Sequence, residues 1–335
     1  MIRTIIFYLI FVSIIISEDS QKKKLSVEWI HSEEGQRISA IHKFHWLDDN
    51  TAILFDLSLP KPDRTFLRLD PKNPEKITPL INKKRVLRSF NKILRNKKYF
   101  EYLSWPISFD YNGKKAVYIY ENDIFILYTN SSIVKQITNS KAIEKSPRFS
   151  PDGSKIAYIR DNNLFIYDFK KKRERQMTRD GSETVLNGTL SWVYWEEIFG
   201  RQDIGFWWSN DSKAISFIQT DESSVTKMHF INHRPVVPDL ITQRYPKAGT
   251  ENPKVKLGIF EILNPRIKWV QMESYEYLCR IKWHPDNKRL AVQTMNRNQT
   301  ELKLYYVDRK MGKSSKSILK ELDDGWVNIN DDLYF

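Results

Sequence analysis

Apolar residues along the chain come in short bursts rather than in long helical stripes. Ala52–Phe55, Ala116–Tyr120, Ile124–Tyr128, Ile156–Ile159, Leu164–Asp168, Ala214–Ile218, Leu290–Thr294 and Leu302–Asp308 are each rich in branched or aromatic residues and bounded by polar turn residues. Such segments read as strands, because flat and branched side chains pack well on a pleated surface. One unit recurs: a tight polar turn, a strand, a second turn and a second strand. Its clearest copy is Ser150-Pro151-Asp152-Gly153-Ser154-Lys155, then Ile156–Ile159, then Asp161-Asn162-Asn163, then Leu164–Asp168. Pro and Gly set the turn torsions, and Asp bonds its own backbone. Asn162-Asn163 is the expected positive-φ pair of the hairpin.

Further copies begin at Trp46-Leu47-Asp48-Asp49-Asn50, Asp110-Tyr111-Asn112-Gly113, Trp208-Ser209-Asn210-Asp211-Ser212 and Trp283-His284-Pro285-Asp286-Asn287. With the last turn residue as anchor, the copies fall at 50, 113, 153, 212 and 287, spaced by 63, 40, 59 and 75 residues. The shortest spacing fits a four-stranded propeller blade of about 40–50 residues, and the longer ones imply insertions. Five such units predict an all-β fold, a β-propeller of about five blades. A β-sandwich is the alternative, but it leaves the recurring cassette unexplained.

The remaining apolar signals differ from this pattern. Thr4–Ile16 is almost wholly apolar, follows Arg3, and ends at Ser17-Glu18-Asp19. It is short for a spanning helix and reads as a signal peptide over residues 1–17, with an uncleaved signal anchor as the alternative. Either form predicts an exported body, whether periplasmic, secreted or on the outer face of a membrane. Lys83–Lys98 holds eight Lys/Arg and no acid, with Leu87, Phe90, Ile93 and Leu94 at helical spacing. That is a basic amphipathic helix, read as a solvated face packed on the body through its apolar stripe; a membrane surface is the alternative.

Composition adds few constraints. The 335 residues are 41% hydrophobic and 13% aromatic, which suits a globular chain. The net charge of +13 is read as lysine-rich surface, and no zinc-finger or RNA-recognition spacing supports a nucleic-acid partner. The single cysteine, Cys279, forms no intrachain disulfide and reads as a small buried hydrophobe. No metal or other cofactor is expected. Asn130, Asn187, Asn210 and Asn298 each begin an Asn-x-Ser/Thr sequon, relevant only in a glycosylating host.

Candidate chemistry lies in the two insertions after 153 and 212. The first contains Asn187-Gly188-Thr189-Leu190-Ser191-Trp192-Val193-Tyr194-Trp195-Glu196-Glu197-Ile198-Phe199-Gly200-Arg201. Two adjacent glutamates among aromatics are either a solvated acidic pair on a helical turn or a clamp for one ammonium. The second contains Arg244-Tyr245-Pro246-Lys247-Ala248-Gly249-Thr250-Glu251-Asn252-Pro253-Lys254-Val255, by itself a loop running into a strand.

In order, and with Trp207-Trp208-Ser209 and Asp221-Glu222-Ser223 between them, these cassettes resemble the N-terminal propeller of the dipeptidyl peptidase IV family of serine peptidases. The resemblance is strongest from Pro147 to Phe260 and extends over residues 25–335. It implies part of an eight-bladed propeller, with Glu196 and Glu197 gripping the free α-ammonium of a peptide substrate. Peptides with a free N-terminus are then the expected partners, and dipeptides are removed after Pro or Ala. Two departures stand out. Trp195 occupies the place of a third glutamate, and Glu121-Asn122-Asp123 stands where the family has an arginine. No Gly-x-Ser-x-Gly elbow is present. The resemblance therefore places the nucleophile, its acid and its histidine in an α/β-hydrolase domain beyond residue 335, with Gly325-Trp326-Val327 opening a further blade and a strand starting at Leu333. This chain alone is expected to be inactive and, with its last blade faces bare, poorly soluble. A homodimer is left open. The competing reading is a non-catalytic propeller that captures peptide N-termini or other amines.

Overall fold

The computed structural model describes residues 25–95, 99–264 and 266–335. The apolar segment read as a signal lies outside them, as does the end of the basic run at 96–98. After two short helices, α1 (Val27–His31) and α2 (Glu33–Ile38), the chain forms five successive antiparallel sheets. Blade 1 comprises β1 (Lys43–Trp46), β2 (Ala52–Phe55), β3 (Leu67–Leu69) and β4 (Thr78–Pro79). Blade 2 comprises β5 (Ser108–Phe109), β6 (Lys115–Tyr120), β7 (Asp123–Tyr128) and β8 (Ile133–Gln136). Blade 3 comprises β9 (Glu144–Phe149), β10 (Lys155–Arg160), β11 (Asn163–Asp168) and β12 (Arg173–Gln176). Each runs as a meander in chain order, the architecture of a β-propeller.

Blade 4 is elaborated. Both β13 (Val185–Asn187) and β14 (Phe206–Trp208) pair with the same edge of β15 (Ala214–Asp221), whose other edge pairs with β18 (Lys254–Glu261), followed by β19 (Lys268–Trp269). The glutamate cassette is thus an excursion between two pieces of one blade edge. A separate hairpin, β16 (Lys227–Asn232) and β17 (Asp239–Arg244), is inserted between β15 and β18 and leaves Phe230, Ile231, Leu240 and Ile241 exposed. Blade 5 comprises β20 (Tyr277–Trp283), β21 (Arg289–Met295), β22 (Glu301–Asp308) and β23 (Leu319–Leu322).

The core lies between blades. Strand side chains alternate, so Ala116 and Tyr118 join a cluster with blade 1 while Val117 and Ile119 join one with blade 3. Likewise Ile156 and Tyr158 face blade 2, and Ala157 and Ile159 face blade 4. Ile215 and Phe217 face blade 3, and Ala214 and Ile218 face blade 5. Burial on both faces explains why these strands read as continuous apolar bursts.

All five anchor residues lie in the left-handed region: Asn50 at φ 61°, Gly113 at 67°, Gly153 at 66°, Ser212 at 60° and Asn287 at 57°. Each donates its N–H to the carbonyl three residues earlier. In each turn the preceding Asp or Asn (Asp49, Asn112, Asp152, Asp211, Asp286) accepts from the N–H two residues on, at 2.8–3.3 Å. The turns also touch one another. Lys115 Nζ donates to Gly153 O at 2.9 Å, Asp152 N to Ser212 Oγ at 2.9 Å, and Asp211 N to Asn287 Oδ1 at 3.0 Å. The cassette is therefore both a turn and a link to the next blade.

Four expectations need correction. The positive-φ pair of the blade 3 hairpin is Asp161-Asn162, one residue earlier than expected, because the Asn163 side chain accepts from Thr178 Oγ1 and Gly181 N and holds Asn163 in β11. The basic helix α3 (Lys83–Leu94) does pack through an apolar stripe, but Val86 joins Leu87, Phe90 and Leu94 in it, and Ile93 is exposed. Asn82 caps α3, and Ser89 Oγ bonds Val134 of β8, which fixes that rotation. Leu333–Phe335 forms no strand; Lys282 Nζ holds Leu333 O, and the Phe335 ring lies 4.7 Å from that of His284. Asn187 is fully buried, so its sequon offers no acceptor, whereas Asn130, Asn210 and Asn298 are exposed. Cys279 is buried as expected, and burial pushes its thiol up to about 12, which keeps it unreactive near neutral pH.

Candidate functional site

The glutamate cassette is anchored at both ends. Buried Asn187 donates to Asp180 Oδ1 at 3.0 Å and accepts from Gln219 Nε2 at 2.9 Å. Gly188 follows at φ 74°, a left-handed conformation that favours glycine, and a Cβ there would also lie 2.9 Å from Ile159 Cδ1. Asp203 closes the excursion: its Oδ1 accepts from Thr189 Oγ1 at 2.6 Å and Leu190 N at 2.8 Å, and its carbonyl accepts from Ser146 Oγ.

Between these ends, Tyr194–Ile198 forms a π-helical turn. Phe199 N reaches back to Tyr194 O at 2.8 Å and Arg201 N to Trp195 O at 2.7 Å. Such wide turns are rare and frequently occur at functional sites. The turn is fastened to blade 5 by the fully buried Tyr194, whose hydroxyl accepts from Leu278 N at 3.2 Å. Arg280 of β20 donates to Ile198 O at 2.6 Å and to Cys279 O, pairs with Asp331, and lies 5.3 Å from the Phe199 ring centroid. Glu196 and Glu197 therefore sit together on a rigid mount, the first half-buried and the second exposed. Glu196 Oε1 accepts from Arg201 Nε at 2.8 Å. Glu197 lines a cleft of about 440 Å³ with Arg280, Gln299 and Trp326–Ile329. Trp195 packs against the core between blades 4 and 5, so the place of a third glutamate serves packing.

The second cassette meets the first. The Tyr245 ring lies 4.6 Å from that of Trp192, and Gly249, at φ 83°, turns the chain toward Asn252. Asn252 Nδ2 donates to Glu276 Oε1 and to Tyr277 Oη, at 2.7 and 3.0 Å. Glu121-Asn122 forms the left-handed hairpin turn between β6 and β7, with no arginine in it. Among the described residues no cluster of three or more His, Cys, Asp or Glu could hold a metal ion.

Residues 118–335 match the model of the dipeptidyl peptidase IV (DPP IV) N-terminal region. The chain belongs to this family. It is 30% identical over 222 residues to dipeptidyl aminopeptidase B of Saccharomyces cerevisiae, an alignment covering 63% of this chain and 26% of that protein. The crystal structure of Porphyromonas gingivalis dipeptidyl peptidase 4 superposes with a TM-score of 0.73 at 25% identity, covering 91% of this chain and 43% of that one. The chain thus spans about a quarter of the curated relative and less than half of the solved structure. Among the described residues no helix is long and apolar enough to cross a membrane.

Within this DPP IV-family propeller, sequence reasoning missed Asp203 and Arg280, and it carried Arg201 in the cassette without a role. Asp203 left a local trace, as an acid in the polar stretch before β14. Asp221-Glu222-Ser223 also acquires a setting. Burial pushes Glu222 up to about 7, against the pull of Arg244 at 3.9 Å and with the help of nearby Glu183 and Asp221. Arg244 also holds Val225 O at the base of the inserted hairpin. A carboxyl whose folded pKa exceeds its unfolded value stabilises most below the unfolded value, and this is lost as pH rises through about 7. The urea midpoint is accordingly expected to fall between pH 6 and 8 in the wild type, and to fall measurably less in Glu222→Gln. Equal falls would assign the pH dependence elsewhere.

Proposed function

We propose that this chain is the substrate-recognition propeller of an exported serine dipeptidyl peptidase. Glu196 and Glu197 grip the α-ammonium of the substrate, and an α/β-hydrolase domain outside this sequence carries the nucleophile. The observation that supports this most is the mounting of two adjacent carboxylates on a π-helical turn fixed by Tyr194 and Arg280, the second of them, Glu197, lining a cleft. An ammonium between two carboxylates gains charge-assisted hydrogen bonds, whereas an internal amide would leave both charges unpaired. The pair thereby measures from the chain end, and the bond cut falls two residues in, after Pro or Ala.

Calorimetric titration with an N-terminally free dipeptide and its N-acetylated form tests the clamp. The free amine is expected to bind about tenfold tighter or more, the worth of a hydrogen bond to a charged group. Glu196→Gln/Glu197→Gln is expected to abolish that preference. Equal binding of the two peptides by the wild type would refute the reading. Trp195, spent on packing, favours one alternative: a propeller that captures amines without cleaving them. Hydrolysis of an aminoacyl-prolyl substrate by the complete polypeptide separates the two.

A further inference from the structure

We propose that Arg201 is a resident cation of the glutamate site, which an incoming ammonium must displace from Glu196 before both carboxylates can close on it. This rests on the clamp reading above and adds a residue that sets its affinity.

Four observations carry it. Arg201 Nε sits 2.8 Å from Glu196 Oε1, so one carboxylate of the pair already has a cationic partner. The Glu196 side chain is 21% exposed and that of Arg201 80%, so the cationic partner is the more solvent-accessible member of the pair. The two arginines near the pair are held differently. Arg280 is committed to two carbonyls, Asp331 and the Phe199 ring, whereas among the described residues Glu196 is the one side chain bonded to the Arg201 guanidinium. Arg280 is therefore part of the mount, and Arg201 is free to leave. Finally, Gly200 and Arg201 are both left-handed, at φ 58° and 64°. A long side chain occupies a position that glycine or asparagine would take more readily, and the Arg201 N–H bond to Trp195 O fixes its Cα beside the glutamates.

The size of the competition follows from exposure. A solvent-exposed ion pair shifts an equilibrium by about two- to fivefold. A ligand ammonium meeting two carboxylates can overcome that, and a neutral N-acetyl group cannot. Arg201 would thus weaken every amine ligand slightly, a cost that an uncharged end leaving the pair in place does not bear.

The test is titration of the full chain with a free-amine dipeptide and its N-acetylated form, using wild type, Arg201→Asn and Arg201→Lys. Asparagine keeps the left-handed turn without the charge, and lysine keeps the charge. Arg201→Asn is expected to bind the free amine about two- to fivefold tighter, Arg201→Lys to stay near the wild type, and the thermal midpoint of Arg201→Asn to match the wild type as a fold control. If the wild type prefers the free amine but Arg201→Asn binds it equally or less well, Arg201 positions Glu196 and the displacement idea is wrong while the clamp stands. If neither protein distinguishes free from acetylated peptide, the clamp fails, and this inference with it.

Discussion

Arg160→Ala is expected to lose about 3–5 kcal/mol of folding stability, because it leaves a buried carboxylate without its counter-charge. Arg160 Nε donates to Glu144 Oε1 at 2.8 Å, and its other nitrogens reach both oxygens of Glu174 at 2.9 and 2.7 Å. Its guanidinium lies 4.7 Å from the Phe165 ring centroid. The Glu144 side chain is 0% exposed, and its Oε2 has no hydrogen-bond partner. Burial already raises Glu144 above the ordinary carboxylate range, and Arg160 is the main opposing influence. Without it the carboxyl rises further. An acid raised in the folded state loses stability as pH rises through that raised value, so the deficit is expected to be larger at pH 8 than at pH 5. Urea unfolding at the two pH values measures this. Arg160→Met/Glu144→Gln is expected to be more stable than Arg160→Met, since the orphaned charge is gone. A double variant no better than the single would show that lost packing, not charge, is responsible.

The second large effect is expected at Arg309→Ala, about 2–3 kcal/mol. Arg309 grips Glu261 of blade 4 through two nitrogens at 2.9 and 2.7 Å, Asp211 in the first turn of that blade at 2.9 Å, and Asn287 O in the turn of blade 5 at 3.0 Å. It also lies 5.5 Å from the Trp283 ring centroid. One side chain thus joins two blades. Burial works to raise Asp211, but Ser209 and Arg309 outweigh it and hold the carboxyl low. A depressed acid stabilises above its unfolded pKa, and that contribution is lost as pH falls through the folded one. The wild type is therefore expected to lose more stability than Arg309→Ala between pH 6 and 3, measured by thermal melts. Arg309→Lys is expected to recover only part of the loss, because an ammonium cannot reproduce the two-pronged contact. Full recovery by lysine would mean that charge alone matters.

The blade count and the turn anchors were readable because turn chemistry is local: Asp, Asn, Gly and Ser dictate the left-handed residue from within four positions. Strands buried on both faces were readable for the same reason. Arg173–Gln176 was not, since an outer strand made wholly of polar residues carries no apolar rhythm, and the exposed hairpin β16–β17 likewise lacks a buried face to betray it. The rotation of α3 was ambiguous because Ile93 fits helical spacing as well as Val86 does, and only Ser89 meeting Val134 decides between them. At the site, the paired glutamates were visible as adjacent acids among aromatics. What holds them was not: Leu278 and Arg280 approach from more than eighty residues away, and no spacing rule within the cassette points to them.

The hydrogen bonds that run between the first turns of blades 3, 4 and 5 give the blade 4 repeat both halves of a joint. Ser212 Oγ accepts from the turn before it, and its neighbour Asp211 offers an N–H to the turn after it. A repeat that carries its own plug and its own socket can be copied and inserted in tandem without redesigning its neighbours. Blade number can then change by gene duplication at little structural cost. Novelty, such as the glutamate excursion, is confined to the stretches that the joints leave free.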